Sequence, residues 1–178
     1  MKSVLKTGLV TLLACASVSA FAADFPAPLQ AKVDKYKQKL VEWAANPVIV
    51  QAVKQANANG ALAGMTNAKW QDVADTDPAV KSFTTSKAGV LLKKWEADTG
   101  INKLVVRDEK GNLVAASTKP LLFNNAVRPV YLNGIKGQVW AADKLTPDPT
   151  TQIKGVQASA PVLDGKKVIG VIHVGITQ

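Results

Sequence analysis

Few residues in this sequence could perform catalysis. His173 is the single histidine and Cys15 the single cysteine of the 178 residues. The sequence contains no His-Glu-x-x-His motif, phosphate-binding glycine loop, Gly-x-Ser-x-Gly motif or dinucleotide-binding fingerprint. A structural zinc site needs about four cysteine, histidine or carboxylate ligands, and this chain lacks the usual sets. We therefore predict a protein that is not an enzyme and that needs no metal ion or other cofactor.

Two predicted strands carry polar side chains at alternate positions. Every second residue over 156–162 is valine or alanine, whereas Gln157 and Ser159 point to the opposite face. The same alternation selects Gln138 and Trp140 in the strand predicted over 138–142. A sheet face with such residues is unusual for a packed core and is typical of a strand exposed to water.

Two ionisable side chains occur among apolar neighbours. His173 shares a face of the last predicted strand with Val171, so it is either a hydrogen-bonded core residue or a residue that lines a pocket. Lys87 falls between Phe83 and Leu91 on helical spacing. Its stem is expected to be buried, with the ammonium group reaching either water or a pocket.

Arg128 and Tyr131 lie in a loop-rich segment predicted over residues 118–136. A guanidinium group can hold a carboxylate with two parallel hydrogen bonds, which makes Arg128 a candidate for binding an organic anion. Because Pro129 follows directly, the alternative is a surface arginine that precedes a proline turn.

The N-terminus has the pattern of a secretory signal peptide. Two lysines precede the apolar stretch Gly8–Val18, and Ala20-Phe21-Ala22 supplies small residues at the spacing of a cleavage site. We predict cleavage after Ala22 and export to the periplasm, with residues 23–178 forming one domain. The alternative is a lipoprotein that is lipidated at Cys15.

The charge of the chain is positive but dispersed. The sequence has 22 Lys and Arg residues against 13 Asp and Glu residues, a formal net charge of +9. The lysines form no run longer than a pair, and few aromatic residues are interleaved with them. This pattern favours a solvated basic surface or an anionic small ligand over nucleic acid, which we do not expect as a partner.

The first half of the exported chain is predicted to be helical. Apolar residues from Leu29 to Trp43 are spaced three and four apart and form one stripe of a long helix. Asn46-Pro47 and Asp77-Pro78 each read as a cap followed by proline at the first helical position. A second helix is predicted to about Ala58, a short one around Trp70, and a third main helix from Pro78 to about Asp98.

The second half is predicted to form an antiparallel sheet of about five strands. Leu104–Arg107 and Leu113–Ser117 read as a hairpin around a polar turn. A third strand is predicted over Gln138–Ala142, and residues 146–149 read as a turn. Thr151–Val162 and Lys167–Ile176 read as a closing hairpin. Helices followed by an antiparallel sheet define an α+β fold.

Two segments of the chain resemble Cache domains, the PAS-like extracytoplasmic sensor domains of bacteria. The segment Ile101–Ser117, with the spacing Leu-Val-Val-x-Asp-x-x-Gly-x-Leu-Val-Ala-x-Ser from Leu104, is similar to their first hairpin. The segment Ser159–Val171, with Ala-Pro-Val-Leu-Asp-Gly-Lys-Lys-Val-Ile-Gly after Ser159, is similar to their closing hairpin. The resemblance covers about residues 29–177.

The resemblance implies a single Cache domain in which a long N-terminal helix packs on a roughly five-stranded sheet, and the other sheet face encloses a small-molecule pocket. It implies a sensory module for a small organic ligand, a carboxylate among the candidates. Amino-acid-binding Cache domains carry an Arg-x-x-Trp-Tyr pattern, from which Arg128–Tyr131 departs. The residues expected to contact the ligand are Arg128, Tyr131, Gln138, Trp140, Gln157, Ser159, His173 and Lys87.

Two kinds of macromolecular partner follow from this resemblance. A membrane sensor kinase or a chemoreceptor is the expected partner of a stand-alone sensory module, and a homodimer along the long helices is a second expectation. The alternative function is a structural or interaction protein with a filled pocket. In that case Lys32, Lys35 and Lys39 of the first helix would contact an envelope partner.

Overall fold

The computed structural model describes residues 25–178. The predicted signal peptide of residues 1–22, its cleavage after Ala22 and the alternative lipidation of Cys15 all lie outside the described residues. No helix in the described part combines the length and the apolar composition that a membrane span requires.

The described chain folds into five helices followed by an antiparallel sheet with a sixth helix inserted between its strands, which is an α+β arrangement as predicted. The helices are α1 (Ala27–Ala44), α2 (Pro47–Asn59), α3 (Asn67–Asp72), α4 (Pro78–Thr84), α5 (Lys87–Glu96) and α6 (Pro129–Ile135). The strands are β1 (Ile101–Asp108), β2 (Leu113–Ala116), β3 (Trp140–Ala141), β4 (Thr146–Pro147), β5 (Lys154–Asp164) and β6 (Lys167–Thr177). The sheet order is β2-β1-β6-β5-β3, and β4 also pairs with β5.

The prediction of one long helix from Pro78 to Asp98 is wrong, because the chain forms two helices there. The hydroxyl of Ser86 accepts a hydrogen bond from the backbone N–H of Gly89 at 3.0 Å and begins α5 as a new helix. A Cβ atom on Gly89 would lie 2.3 Å from the carbonyl oxygen of Phe83. Only glycine lets α5 begin so close to the end of α4.

The prediction of a loop around Arg128 is also wrong, because residues 129–135 form α6. Pro129 occupies the first position of this helix, where its missing N–H costs no hydrogen bond. Asn46 and Asp77 cap the N-termini of α2 and α4 with their side chains, which makes the start of these helices recognisable in the sequence. Arg128 offers no such cap, so the sequence signal for α6 was weaker.

The sheet has one strand more than predicted and different strand bounds. Thr146–Pro147, which the sequence indicates as a turn, pairs with residues 154–155 of β5 as the short strand β4. The strand predicted over Gln138–Ala142 shrinks to two residues, and β5 begins three residues later than predicted and ends two residues later. Each difference lies at a strand end, where pairing with neighbours decides the outcome.

The core lies between α1 and one face of the two longest strands. From α1, the predicted stripe residues Leu29, Val33, Tyr36 and Leu40 are buried, as expected. They pack in one cluster with alternating residues of β5 and β6, namely Val156, Ala158, Ala160, Val162, Ile172, Val174 and Ile176. This packing commits one face of the sheet to the helix and leaves the other face to the loops.

Leu40 tests how much the contact between α1 and the sheet contributes to stability. Its side chain is 0% exposed, and we expect Leu40→Ala to lower the free energy of unfolding by about 2–5 kcal/mol, because it removes buried methyl groups and leaves a cavity. The neighbouring Val41 is 47% exposed, so Val41→Ala should change stability by no more than about 0.5 kcal/mol. Urea denaturation of both variants measures the difference, and equal losses would contradict this packing.

Candidate functional site

A cavity of about 690 Å³ lies on the face of the sheet opposite α1. Its floor is made by β1, β3, β5 and β6, and its walls by residues 120–130 and 142–150. The side chains of the floor alternate with the core residues that contact α1, so the pleat of the strands decides which residues face the cavity. Gly175 of β6 lies in this floor, between Asn102 and Gln157 on the two neighbouring strands.

Arg107 is the most deeply buried charge of the cavity lining. The residue is 1% exposed. Its guanidinium donates to the carbonyl oxygens of Phe123 at 2.6 Å and Leu122 at 3.0 Å, and its Nε–H to Nε2 of His173 at 3.3 Å. Within the described residues Arg107 forms no salt bridge with a carboxylate. Burial lowers the pKa of Arg107 to about 9, so the group keeps its charge at pH 7.

His173 faces the same cavity and is neutral at pH 7. Because its Nε2 accepts a hydrogen from Arg107, the proton of the neutral ring is assigned to Nδ1. Burial lowers the pKa of His173 well below its usual 6.5, and the nearby charges of Arg107 and Lys103 lower it further. The negative charge of Asp148 raises the pKa of His173, but by less. His173 is therefore both a hydrogen-bonded buried residue and part of the cavity lining.

Lys103 and Asp148 form an ion pair in the cavity wall. Their atoms Nζ and Oδ1 are 3.0 Å apart, and the two side chains are only 8% and 14% exposed. Burial raises the pKa of Asp148, but hydrogen bonds from the backbone N–H of Thr151, from Lys103 and from the N–H of Thr150 outweigh it and leave the pKa lowered. The carboxylate of Asp148 is therefore charged at pH 7.

Four of the eight residues that the sequence selects line this cavity. Gln157 and Trp140 lie on β5 and β3, and His173 lies on β6 between them and β1. Arg128, at the start of α6, also lines the cavity but is exposed at its rim. The strand alternation thus brings three predicted residues into one floor, and the loop contributes the fourth.

The other four predicted residues lie elsewhere. Tyr131 is buried and its hydroxyl donates to the carbonyl oxygen of Asp108 at 3.3 Å. Gln138 is exposed, because β3 begins only at residue 140. Ser159 is fully buried close to Gly134 of α6, and its Oγ has no partner within the described residues.

Lys87 is exposed and lies away from the sheet-face cavity. It is the first residue of α5 and lines a second cavity of about 680 Å³ beside α2. Its predicted position in an apolar stripe assumed one continuous helix through Phe83 and Leu91. The break before Ser86 ends that continuity, so the helical spacing no longer applies.

Sequence reasoning missed the two buried cations of the cavity. Arg107 and Lys103 lie on β1, which reads as an apolar strand that ends in a charge. The sequence does contain a signal for them: Lys103 and Arg107 are on the same face of β1, a strand that is buried on both faces. A charge within such a strand must find partners, and here the partners come from distant loops.

Comparisons with known proteins match this chain by structure alone. No family model and no curated protein matches the sequence. The sensor domain of the V. cholerae histidine kinase DctB matches with 18% identity and a TM-score of 0.44, over 84% of this chain and 57% of that chain. The ligand-binding domain of the Campylobacter jejuni chemoreceptor Tlp3, in complex with L-norvaline, matches with 12% identity and a TM-score of 0.45, over 83% and 60%.

The chain thus spans about three fifths of the length of the solved domains that it matches. With TM-scores below 0.5 the overlap is partial, and the fold assignment rests on the topology of the chain itself.

His173 allows a direct measurement of the cavity, because the chain has no other histidine. We expect ¹⁵N NMR of the labelled ring to report the tautomer protonated at Nδ1, and to find the ring still neutral at pH 6. In urea the same ring should titrate near its usual pKa of about 6.5. A folded-state pKa at or above 6.5, or a proton on Nε2, would contradict the hydrogen bond to Arg107.

The same shift makes stability depend on pH. As pH falls below 6.5, the unfolded chain binds this proton before the folded chain does. The contribution of His173 to the free energy of unfolding therefore decreases towards the lower folded-state pKa, by at most about 1.4 kcal/mol per pH unit. His173→Gln should flatten this slope in denaturation curves measured between pH 6.5 and 5.

Proposed function

We propose that the sheet-face cavity binds a small organic anion, in particular a carboxylate, and that the protein is a non-catalytic sensory or ligand-binding module of the periplasm. The observation that carries this proposal is the buried guanidinium of Arg107, which lines the cavity without a carboxylate partner among the described residues. A buried charge is costly unless an opposite charge or several hydrogen bonds compensate it.

The hydrogen bonds of Arg107 leave donors for a ligand. A guanidinium has five N–H groups, and the contacts with Leu122, Phe123 and His173 use three of them. These contacts also fix the plane of the group, so the two remaining N–H groups have fixed directions when a carboxylate arrives. The Nδ1–H of His173 adds a neutral donor on the same floor.

The charge and the size of the cavity also favour a small anion. Four Lys or Arg side chains and two Asp side chains line it, namely Lys103, Arg107, Arg128, Lys144, Asp143 and Asp148. The excess of positive charge attracts anions and disfavours cations. A volume of about 690 Å³ lies within the range of about 300–1,000 Å³ that is usual for small-molecule sites.

The apolar part of the lining supports an organic ligand over an inorganic ion. Val105, Pro120, Leu121, Val130 and Trp140 share the cavity with the charged groups. Their surface can cover a short hydrocarbon chain while Arg107 holds its acid group. In this proposal a membrane sensor kinase or chemoreceptor reads the liganded state, in keeping with the predicted export of the chain.

The alternative of a docking protein that uses α1 receives less support. Lys32 donates to the carbonyl oxygen of Thr177 at 2.9 Å, and Lys39 forms an ion pair with Asp98 at 2.7 Å. Two of the three lysines considered for a partner contact are therefore engaged within the protein. A homodimer along the long helices stays a prediction.

A thermal-shift series with acetate, butyrate, 3-methylbutanoate and benzoate tests the proposed function. A carboxylate that binds should, at 100 times its dissociation constant, stabilise the fold by about 2.7 kcal/mol, or about 5–10 °C. Arg107→Gln should weaken that binding at least about thirty-fold, because it removes a buried charged donor worth about 2 kcal/mol or more. Arg128→Ala should cause a smaller loss, since this residue lies exposed at the rim.

Two comparisons make this test decisive. Lys166→Gln removes one positive charge from the exposed turn between β5 and β6 and should leave the response unchanged. Arg107→Lys keeps the charge but loses the planar donor pair, so it should bind more weakly than the parent and more tightly than Arg107→Gln. If folded Arg107→Gln responded like the parent protein, Arg107 would not be the anion-binding group.

A further inference from the structure

We infer that the cavity selects carboxylates that lack an ammonium group over α-amino acids, and that Lys103 determines this selectivity by occupying the carboxylate of Asp148. The inference rests on the proposed function, since it concerns the ligand of the same cavity. It follows from the way in which the acidic groups of the lining are already used.

Asp148 is the half-buried acidic group of the cavity lining among the described residues, and Asp143 is exposed. The Oδ1 atom of Asp148 accepts hydrogen bonds from Nζ of Lys103 at 3.0 Å and from the backbone N–H groups of Thr150 and Thr151 at 2.9 Å each. Its negative charge is neutralised by a cation of the protein itself. All these bonds end on Oδ1, so an ammonium group that reached Oδ2 would meet a carboxylate whose charge Lys103 already balances.

The surroundings of Arg107 also disfavour an ammonium group. The amino group of an α-amino acid is one carbon away from its carboxylate, so it enters beside Arg107 when the acid group binds there. His173 offers no acceptor, because its Nε2 already accepts from Arg107. Desolvating an ammonium group next to a guanidinium without a carboxylate partner is costly, whereas a hydrocarbon chain at this position costs nothing comparable.

The backbone directs Lys103 towards Asp148. Lys103 has a φ of 54°, which is uncommon for a residue other than glycine. The pairing of β1 with β6 is irregular between Asn102 and Leu104, so Lys103 occupies a bulge, a feature that re-aims side chains. The carboxylate of Glu96 accepts from the backbone N–H of Lys103 at 2.8 Å and holds this conformation. The ion pair is therefore built into the strand.

Matched pairs of acids test this selectivity by isothermal titration calorimetry. The probes are 3-methylbutanoate against L-valine and 4-methylpentanoate against L-leucine, each pair having the same carbon skeleton. We expect the parent protein to bind the acid without the amino group at least ten-fold more tightly in both pairs. Equal or tighter binding of the amino acids would overturn the selectivity and leave the anion site intact. If no member of either pair binds, the proposed function fails together with this inference.

Two variants assign the effect to Lys103. Lys103→Met frees the carboxylate of Asp148, so we expect it to reduce the preference for the acid without the amino group at least ten-fold. Asp148→Asn leaves the cation of Lys103 unpaired, so it should bind both simple acids at least about three-fold more tightly than the parent. Lys166→Met, at the exposed turn between β5 and β6, is the matched control and should keep the parent's preference.

Having two variants keeps the role of Lys103 testable even if one of them does not fold. Far-UV circular dichroism and the urea midpoint establish whether each variant is folded. An unchanged preference in folded Lys103→Met would overturn the role of Lys103. If Lys103→Met does not fold, unchanged affinity of Asp148→Asn for both simple acids would overturn it instead, because the ion pair would then have no influence on ligand charge.

Discussion

The two-residue period of β5 and β6 is the constraint on which the rest of the molecule depends. Side chains of successive residues point to opposite faces of a strand, so a face that packs against a helix determines what the other face displays. Ala158 and Ala160 are small and lie under α1 together with larger residues of β6 such as Ile172 and Val174. Once α1 is fixed on that face, the opposite face of the same strands has only loops and α6 to cover it. A cavity arises where these loops do not fill the space.

Arg107 connects this floor with the wall of the cavity. Its guanidinium donates to two consecutive carbonyl groups, of Leu122 and Phe123, and the carbonyl of Phe123 also accepts from the backbone N–H of Leu113 in β2 at 2.9 Å. The wall segment is therefore held by the same charged group that faces the cavity. The side chain of Arg107 thus holds a loop in place and contributes a positive charge to the cavity. Its hydrogen bond to His173 helps to orient the guanidinium for both roles.

The sequence predicted the parts of the site that follow from local periodicity. Gln157 and His173 could be assigned to one sheet face because their strands alternate clearly, and α1 could be assigned because its apolar stripe is regular. Arg107 and Lys103 could not be assigned, since most of their partners, namely Leu122, Phe123 and Asp148, lie on segments that are distant in sequence and have no periodic pattern. Lys87 was misplaced for a different reason. Ser86 is a recognisable capping residue in the sequence, but the apolar residues before and after it have the spacing of one continuous helix.

The two buried cations of β1 differ in their partners, and this difference gives the cavity its chemical character. Lys103 is neutralised by a carboxylate in direct contact, whereas the hydrogen bonds of Arg107 end on neutral oxygen and nitrogen acceptors, and the charge of Asp108 acts on it only without a salt bridge. If a protein carboxylate formed a salt bridge with Arg107, the cavity would have much less electrostatic reason to take up an anion. If Lys103 lacked one, the cavity would hold two unbalanced cations at a much greater desolvation cost. In the proposed function, the salt bridge of Lys103 limits the desolvation cost while Arg107 is left to attract the anion.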